Sequence, residues 1–266
     1  MCFSIITITF NSREYLAEAI ESVLSQDFCD FEYLIVDGGS TDGTLETIRE
    51  YAATDPRIRW ISEPDEGISD AFNKGIGMAR GEIVGILNSD DTYTAGALKA
   101  VAAVFSADLS LDVVHGDMLR FQGETPLFLL KPAPVDDRVW HGMPVNHPAT
   151  FVRRQTYEKV GLFDTHLAVA MDYELVLRLY RAGCRFCYLE RVLANMRYGG
   201  ASDERFLAAR REIFGVTVAA GYPRWRACGW FVVKTCLNIT KNLLRKLGLH
   251  GLIRLHPKFR KHQETS

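Results

Sequence analysis

Two adjacent carboxylates, Asp90 and Asp91, end the apolar stretch "ILNSDD" at residues 86–91. Neighbouring negative charges repel one another unless a cation lies between them or water reaches both. Acidic oxygens without basic partners favour a divalent cation, Mg2+ or Mn2+. Such a cation is most useful where a diphosphate leaves, since it screens the growing charge. Other polar groups close other apolar runs in the same way: Thr9-Phe10-Asn11, Asp37, Glu63-Pro64-Asp65 and His115-Gly116-Asp117. Two familiar phosphate cradles are missing from the sequence. "FNSREY" follows the first run where a G-x-G-x-x-G would stand, and no G-x-x-x-x-G-K-[ST] occurs. Phosphates are therefore expected to be neutralised by metal rather than held by a glycine loop.

Several residues carry two readings. Asp172 heads "DYELVLRLYRAG" and suits either a helix N-cap or a general base, with Glu174 as the substitute base. Asp42 reads as a cap of the helix that follows it, Asp70 is open between such a cap and a site role, and Asp117 closes a strand and reads as the start of a turn. Lys74 in "FNKG" belongs either to a solvated helix face or to a phosphate. His147 in "NHPATF" is either a satisfied structural histidine or a contact to a sugar donor or acceptor. Arg197, with Gly199-Gly200 leading into a helix N-terminus, suits an anion.

These residues need a frame, and the hydrophobic pattern supplies one. Buried strands are expected at 3–10, 31–36, 57–62, 82–88 and 111–116. Helical stretches stand between them: 12–26 with Ser12 as N-cap, the run after "STDG", 68–79 and "AGALKAVAAVF". Alternating β and α units of this length predict a mostly parallel sheet covered by helices on both faces. In open sheets of this kind ligands sit beyond the carboxyl ends of the strands, where the polar residues gather. After residue 117 the rhythm breaks. "MLRFQ", "PLFLLKP" and "ATFVRR" read as strands of a mixed extension, and 172–183 and 202–221 as helices ended by Gly183 and Gly221.

The 266 residues have ordinary globular composition, with 47% hydrophobic and 24% charged side chains. Of the six cysteines only Cys184 and Cys187 have metal-like spacing, and no second pair answers them, which argues against structural zinc. "MCFSIITITF" has no basic leader or small-residue cleavage site, so a cytosolic protein with reduced thiols is expected. The net charge of −2 hides an asymmetry: residues 213–266 contain ten Lys or Arg against one acid, on an otherwise acidic chain.

"SIITITFNS", "LIVDGGSTDGT", "SEPDEGISDAFNKG", "GILNSDD", "NHPATFVRR", "MDYELVLRL" and "RYGGAS" follow in this order. Together, over roughly residues 3–215, the chain resembles the family-2 glycosyltransferases of GT-A fold, inverting enzymes of bacterial surface-polysaccharide assembly. The resemblance implies a nucleotide-diphosphate sugar donor, typically a UDP-sugar, and a metal cofactor, Mn2+ or Mg2+. It places Thr9, Asn11, Asp37 and Asp65 around the nucleotide, with Asp37 accepting from the base. It sets Asp90 towards ribose and metal, Asp91 on the metal, and Asp172 as catalytic base. Met171 stands where many members carry Glu. The domain is expected to span 1–221.

Residues 222–266 form a separate basic extension. At 100° per residue from Trp230, the residues Lys234, Thr235, Asn238, Lys241, Asn242, Arg245 and Lys246 share one face. Val232, Val233, Cys236, Leu237, Ile239, Leu243, Leu244 and Leu247 share the other. The lysines and arginines interrupt any membrane span, so residues 225–262 are expected to lie on an anionic membrane surface. That implies a peripheral protein on the inner face of the cell membrane, acting on a polyprenyl-linked or nascent glycan acceptor, with no nucleic-acid partner. Two rivals remain: a sugar-phosphate nucleotidyltransferase, and a non-catalytic sugar-nucleotide-binding protein.

Overall fold

In the computed structural model, residues 1–123, 125–198 and 206–246 are described. The chain divides into two compact units, Met1–Glu204 and Arg205–Ser266. The division falls before residue 221, so the helix preceding that position groups with the basic tail.

The first unit is built on a nine-stranded sheet in the order β3-β2-β1-β4-β8-β6-β9-β5, with β7 paired to β6. Its first half is β1 (Phe3–Thr9), β2 (Phe31–Asp37), β3 (Ile58–Ser62) and β4 (Ile83–Ile86), all parallel. Helices α1 (Leu16–Leu24), α2 (Thr44–Thr54) and α3 (Ile68–Met78) connect them. Alternation along the strands divides the core. Phe3, Ile5 and Ile35 face one apolar layer with Leu16, Ile20 and Ile48, while Ile6 and Leu34 face a second with Phe72 and Ile76. Burial on both faces is why these strands read as continuous apolar runs. The expected parallel sheet flanked by helices is present. A Cβ on Gly75 would lie 2.4 Å from the Ile6 side chain, so only glycine lets α3 pack this closely on β1.

The second half differs from expectation in three ways. "ATFVRR" is a strand, but not in an extension: β8 (Thr150–Arg153) wedges antiparallel between β4 and β6 (Val113–Gln122), and Arg154 already opens α5 (Arg154–Val160). Asp117 does not begin a turn, because β6 continues through it to pair with β7 (Thr125–Leu130). The longest strand, β9 (Phe186–Arg197), was not anticipated, nor was the short β5 (Thr92–Tyr93) after Asp91. Charged Glu190 and Arg191 interrupt the apolar pattern of β9. The ladder with β6 jumps from Gly116↔Leu189 to Asp117↔Val192, a bulge that leaves those two residues unpaired with β6. Helix α4 (Ala97–Ala107) precedes β6, and α6 (Met171–Arg181) precedes β9.

Ser12 does not cap α1 through its side chain. Its carbonyl accepts from Tyr15 N and Leu16 N, and its hydroxyl bonds to the Phe10 carbonyl at 3.3 Å. All six cysteines are free.

The second unit contains α7 (Phe206–Ala219) and α8 (Arg224–Lys246). Phe214 and Phe231 meet edge to face at 5.9 Å. The expected Ser202 cap and the segment 247–262 lie outside the described residues, as do the side chains of 237–246.

Candidate active site

The loops after β1, β2 and β3 form a hydrogen-bonded scaffold. Asp37 is fully buried and accepts from Gly39 N and Ser40 N at 3.1 Å, Ser40 Oγ at 2.5 Å and Ser62 Oγ at 2.7 Å. Four donors occupy this carboxylate, which fixes the β2 loop, so accepting from a base would displace one of them. Asn11 holds a left-handed backbone (φ 49°), a conformation asparagine tolerates. Its N–H donates to Ser40 Oγ at 2.8 Å, and its Oδ1 accepts from Thr41 N at 2.9 Å. Asp65 accepts from Gly67 N at 2.9 Å, and its other oxygen lies 2.5 Å from where a Gly38 Cβ would sit. Glycine at 38 is what lets the β2 and β3 loops close on each other. Thr9 is the exception in this region: its hydroxyl is buried and has no hydrogen-bond partner.

Lys74 turns away from the role of phosphate ligand in this arrangement. Its ammonium contacts Glu63 at 3.0 Å, Asp70 at 3.3 Å and the Pro64 carbonyl at 2.8 Å, so its three donors clamp the β3 loop. Asp70 also accepts from Glu66 N at 3.1 Å, from inside the first turn of α3. Asp42 accepts from Thr44 N at 3.0 Å, but from one residue before Gly43, which is the N-cap of α2, so it stands just outside the cap position expected of it.

Asp90 and Asp91 leave β4 through Asn88 and Ser89, whose hydroxyl meets Ser12 Oγ at 3.0 Å. Asp91 is 1% exposed and accepts from Asn88 Nδ2 and Arg197 N, each at 3.2 Å. Burial, and then the Asp90 charge, push the Asp91 carboxyl up to about 8. Burial also raises Asp90, against the pull of Arg197. The nearest cationic relief is from the protein: Arg197 acts on Asp90 and Arg120 on Asp91. The Arg197 guanidinium lies 4.0 Å from the Tyr15 ring centroid and 4.7 Å from that of Phe121, and bonds Glu18 at 2.7 Å. Its Nε is buried and has no partner. Among the described residues no group of three or more His, Cys, Asp or Glu could enclose a metal alone. The donor set that is present, two adjacent all-oxygen acids with incomplete charge relief, fits a hard divalent cation that takes its other ligands from water or a phosphate.

Asp172 lies in the first turn of α6, half-buried, with Oδ1 accepting from Tyr173 N at 2.7 Å. Burial raises its pKa, and His147 counteracts part of that rise. Both residues line one cavity, whose other walls include Ile86, Val152, Phe163 and Leu175. His147 opens the short 3-10 turn His147–Ala149, and its buried Nε2 has no hydrogen-bond partner. Glu174 is committed elsewhere: it holds Arg178 through two contacts, 2.9 Å to Nε and 2.6 Å to NH2. Of the two candidate bases, only Asp172 is without a cationic ligand in hydrogen-bond contact.

Sequence reasoning missed two contributors. Arg120 sits on the extended part of β6, and Asn146 ties the His147 turn to the Gly116 and Leu130 carbonyls at 3.1 and 2.9 Å. The asparagine before His-Pro was the available signal.

A largely parallel sheet with its polar residues beyond the strand carboxyl ends is the architecture of an α/β enzyme. The model of the family described as Glycosyl transferase family 2 matches residues 4–171, and the chain belongs to that family. It is 31% identical over 219 residues to a PGL/p-HBAD biosynthesis glycosyltransferase of Mycobacterium tuberculosis, covering 77% of this chain and 82% of that protein. It is also 31% identical over 195 residues to chondroitin synthase of Escherichia coli, covering 72% of this chain but only 28% of the synthase. Solved structures show the same GT-A fold. TarS of S. aureus in complex with UDP-GlcNAc superposes with a TM-score of 0.65 at 22% identity, over 87% of this chain and 70% of that one. A mannosyltransferase of Pyrobaculum calidifontis in complex with GDP-Man and Mn2+ gives 0.64 at 19% identity, over 97% and 81%.

Proposed function

We propose that this chain transfers a sugar from a nucleotide-diphosphate donor to an acceptor hydroxyl, with inversion at the anomeric carbon. The observation that carries the reading is Asp172: a half-buried carboxylate with a raised pKa, lining a cavity, with no cationic side chain in hydrogen-bond contact among the described residues. It takes the acceptor proton as the acceptor oxygen bonds to the anomeric carbon. The bond from that carbon to the diphosphate oxygen breaks, and its electron pair leaves with the nucleotide. A single base and one displacement give inversion, with no covalent intermediate.

Asp90 and Asp91 would hold Mn2+ or Mg2+, which supplies charge neutralisation to the departing diphosphate. Thr9, Asn11 and Asp65 line the nucleotide side, where the unpartnered Thr9 hydroxyl is free to bond the ligand. A UDP-sugar is the favoured donor, supported by the resemblance and by the UDP-GlcNAc complex of TarS. Lipid-linked or nascent glycans are the favoured acceptors, on the resemblance and the basic tail. In this reading His147 would contact the donor sugar or the acceptor, and Arg197 an anionic group of the donor.

The tail supports a peripheral membrane location at the cytoplasmic face. Trp225 is 72% exposed, Trp230 41%, Val232 57% and Val233 48%. At about 100° per residue, Trp225, Val232, Val233 and Cys236 share one side of α8. No helix among the described residues is long and apolar enough to cross a membrane. Flotation with anionic against neutral vesicles tests this assignment.

The first experiment on the site is a thermal-shift panel of UDP, GDP, dTDP and ADP, each with Mn2+ and with EDTA. A metal-dependent rise with one nucleotide supports the reading. No rise with any of them removes it.

A further inference from the structure

Helix α3 makes side-chain contacts in two directions, from two pairs of residues spaced four apart. Asp70 and Lys74 hold the loop after β3: Asp70 accepts from Glu66 N at 3.1 Å, and the Lys74 ammonium meets Glu63 at 3.0 Å and the Pro64 carbonyl at 2.8 Å. Ser69 and Asn73, each one position earlier, meet the segment between α5 and α6. Asn73 Nδ2 donates to the Phe163 carbonyl and Asn73 Oδ1 accepts from Phe163 N, each at 2.9 Å. Ser69 Oγ donates to the Leu167 carbonyl at 3.4 Å. Ninety residues of chain separate Asn73 from Phe163, so this is a tertiary contact and not a local turn.

Phe163 is held twice by α3. Its backbone pairs with Asn73, and its ring centroid lies 5.1 Å from that of Phe72, the preceding residue. Phe163 also lines the cavity that Asp172 lines. An apolar contact can slide or rotate, whereas a donor and an acceptor on one amide fix both the place and the direction of the peptide they meet. Asparagine is a poor helix former, so alanine would suit α3 better if the position had only to be helical. At the near end of the segment Arg178 donates to the Val160 and Leu162 carbonyls at 2.6 and 2.7 Å. At its far end Ala170 precedes α6 without a side-chain cap, and Asp172 stands two residues on. Where Asp172 sits therefore depends on where residues 161–170 are fixed.

We propose that Asn73 is a positioning residue for Asp172. By pairing with Phe163 it fixes the 161–170 segment on α3, and so sets the base in its cavity relative to the nucleotide-side loop that the same helix holds. Asn73 touches no reacting atom in this scheme; it acts through the segment. The use of the clamp rests on the glycosyl-transfer reading, while the clamp itself can be measured without turnover.

Two measurements on the full chain test this. In Asn73→Ala without ligand, amide hydrogen exchange should rise about tenfold in peptides spanning 161–171 and stay within about threefold in those from β1, β2 and α4. Unchanged exchange at 161–171 overturns the proposal. So does a rise spread over all these peptides, which would make Asn73 a residue of the fold at large. With the donor found by the nucleotide panel, kcat should fall about tenfold while donor KM stays within about threefold, since a displaced base slows the chemical step without touching the nucleotide. An unchanged kcat, or a larger rise in KM, overturns the proposal. Asn73→Asp keeps the acceptor for Phe163 N and loses the donor to its carbonyl, and it serves both measurements, with the same outcomes, if Asn73→Ala does not fold. If the parent turns over no donor while exchange at 161–171 still responds, the clamp stands and the glycosyl-transfer reading fails.

Discussion

The two sides of the strand-end rim are satisfied to very different degrees. On the β1–β3 side Asp37 receives four hydrogen bonds, Asn11 makes two and Lys74 meets three oxygens. On the β4–α6 side Asp91 is pushed up to about 8, Asp172 is raised, and His147 Nε2 and Arg197 Nε lack partners. Saturated polar groups in a buried network rigidify a loop, whereas desolvated and unpaired ones keep free energy available for a ligand or a proton. The first side is the better satisfied, and the second carries the groups on which the proposed chemistry rests.

That contrast can be broken most sharply at Asp172. Asp172→Asn should lower turnover about 1,000-fold while nucleotide affinity stays within about threefold, the signature of a lost general base. A comparable fall in nucleotide affinity would group Asp172 with the better satisfied side. The same comparison predicts the opposite at Asp37. Asp37→Ala strands the donors of Gly39, Ser40 and Ser62, so urea melts should show a loss of about 3 kcal/mol, and any rate effect should follow from misfolding.

Acidification provides a third test. His115 is 2% exposed, and burial lowers its pKa from 6.5 to about 4. The folded state keeps this ring neutral while the unfolded chain takes up a proton below about pH 6.5. Stability should therefore fall as pH drops from 6.5 towards 4, and His115→Gln should flatten that dependence in thermal melts. Activity should fall with acid too, but for another reason: Asp172 must be ionised to accept a proton, and its raised pKa moves that limb upward. The smallest effect is expected at Glu174. Glu174→Gln removes a partly exposed ion pair with Arg178, costing about 1 kcal/mol or less, and should leave kcat within about threefold. A large loss of kcat there would make Glu174, not Asp172, the base.

Much of the first half of the molecule was legible in the sequence because strands buried on both faces appear as unbroken apolar runs. The runs ending at Thr9, Asp37, Ser62 and Ile86 each mark a strand end, and each is followed by polar residues that line the rim. The second half was not, because its strands are short, half-exposed or bulged. β9 carries Glu190 and Arg191 in its middle, and β8 takes its place only by pairing with two strands distant in sequence. The sequence favoured Asp172 over Glu174 through the family resemblance, and the bidentate contact of Arg178, which occupies Glu174, supports that choice.

By itself the sequence determined the acidic pair at 90–91, the order of the parallel β–α units, the basic tail and the family to which these motifs point. Each is a local matter of residue type and period. The tertiary structure alone decided that Arg197 returns along β9 to bond Asp91, that Lys74 clamps a loop, and that His147 and Asp172 share a cavity. Those are long-range juxtapositions, set by which surfaces bury one another, and no local period encodes them.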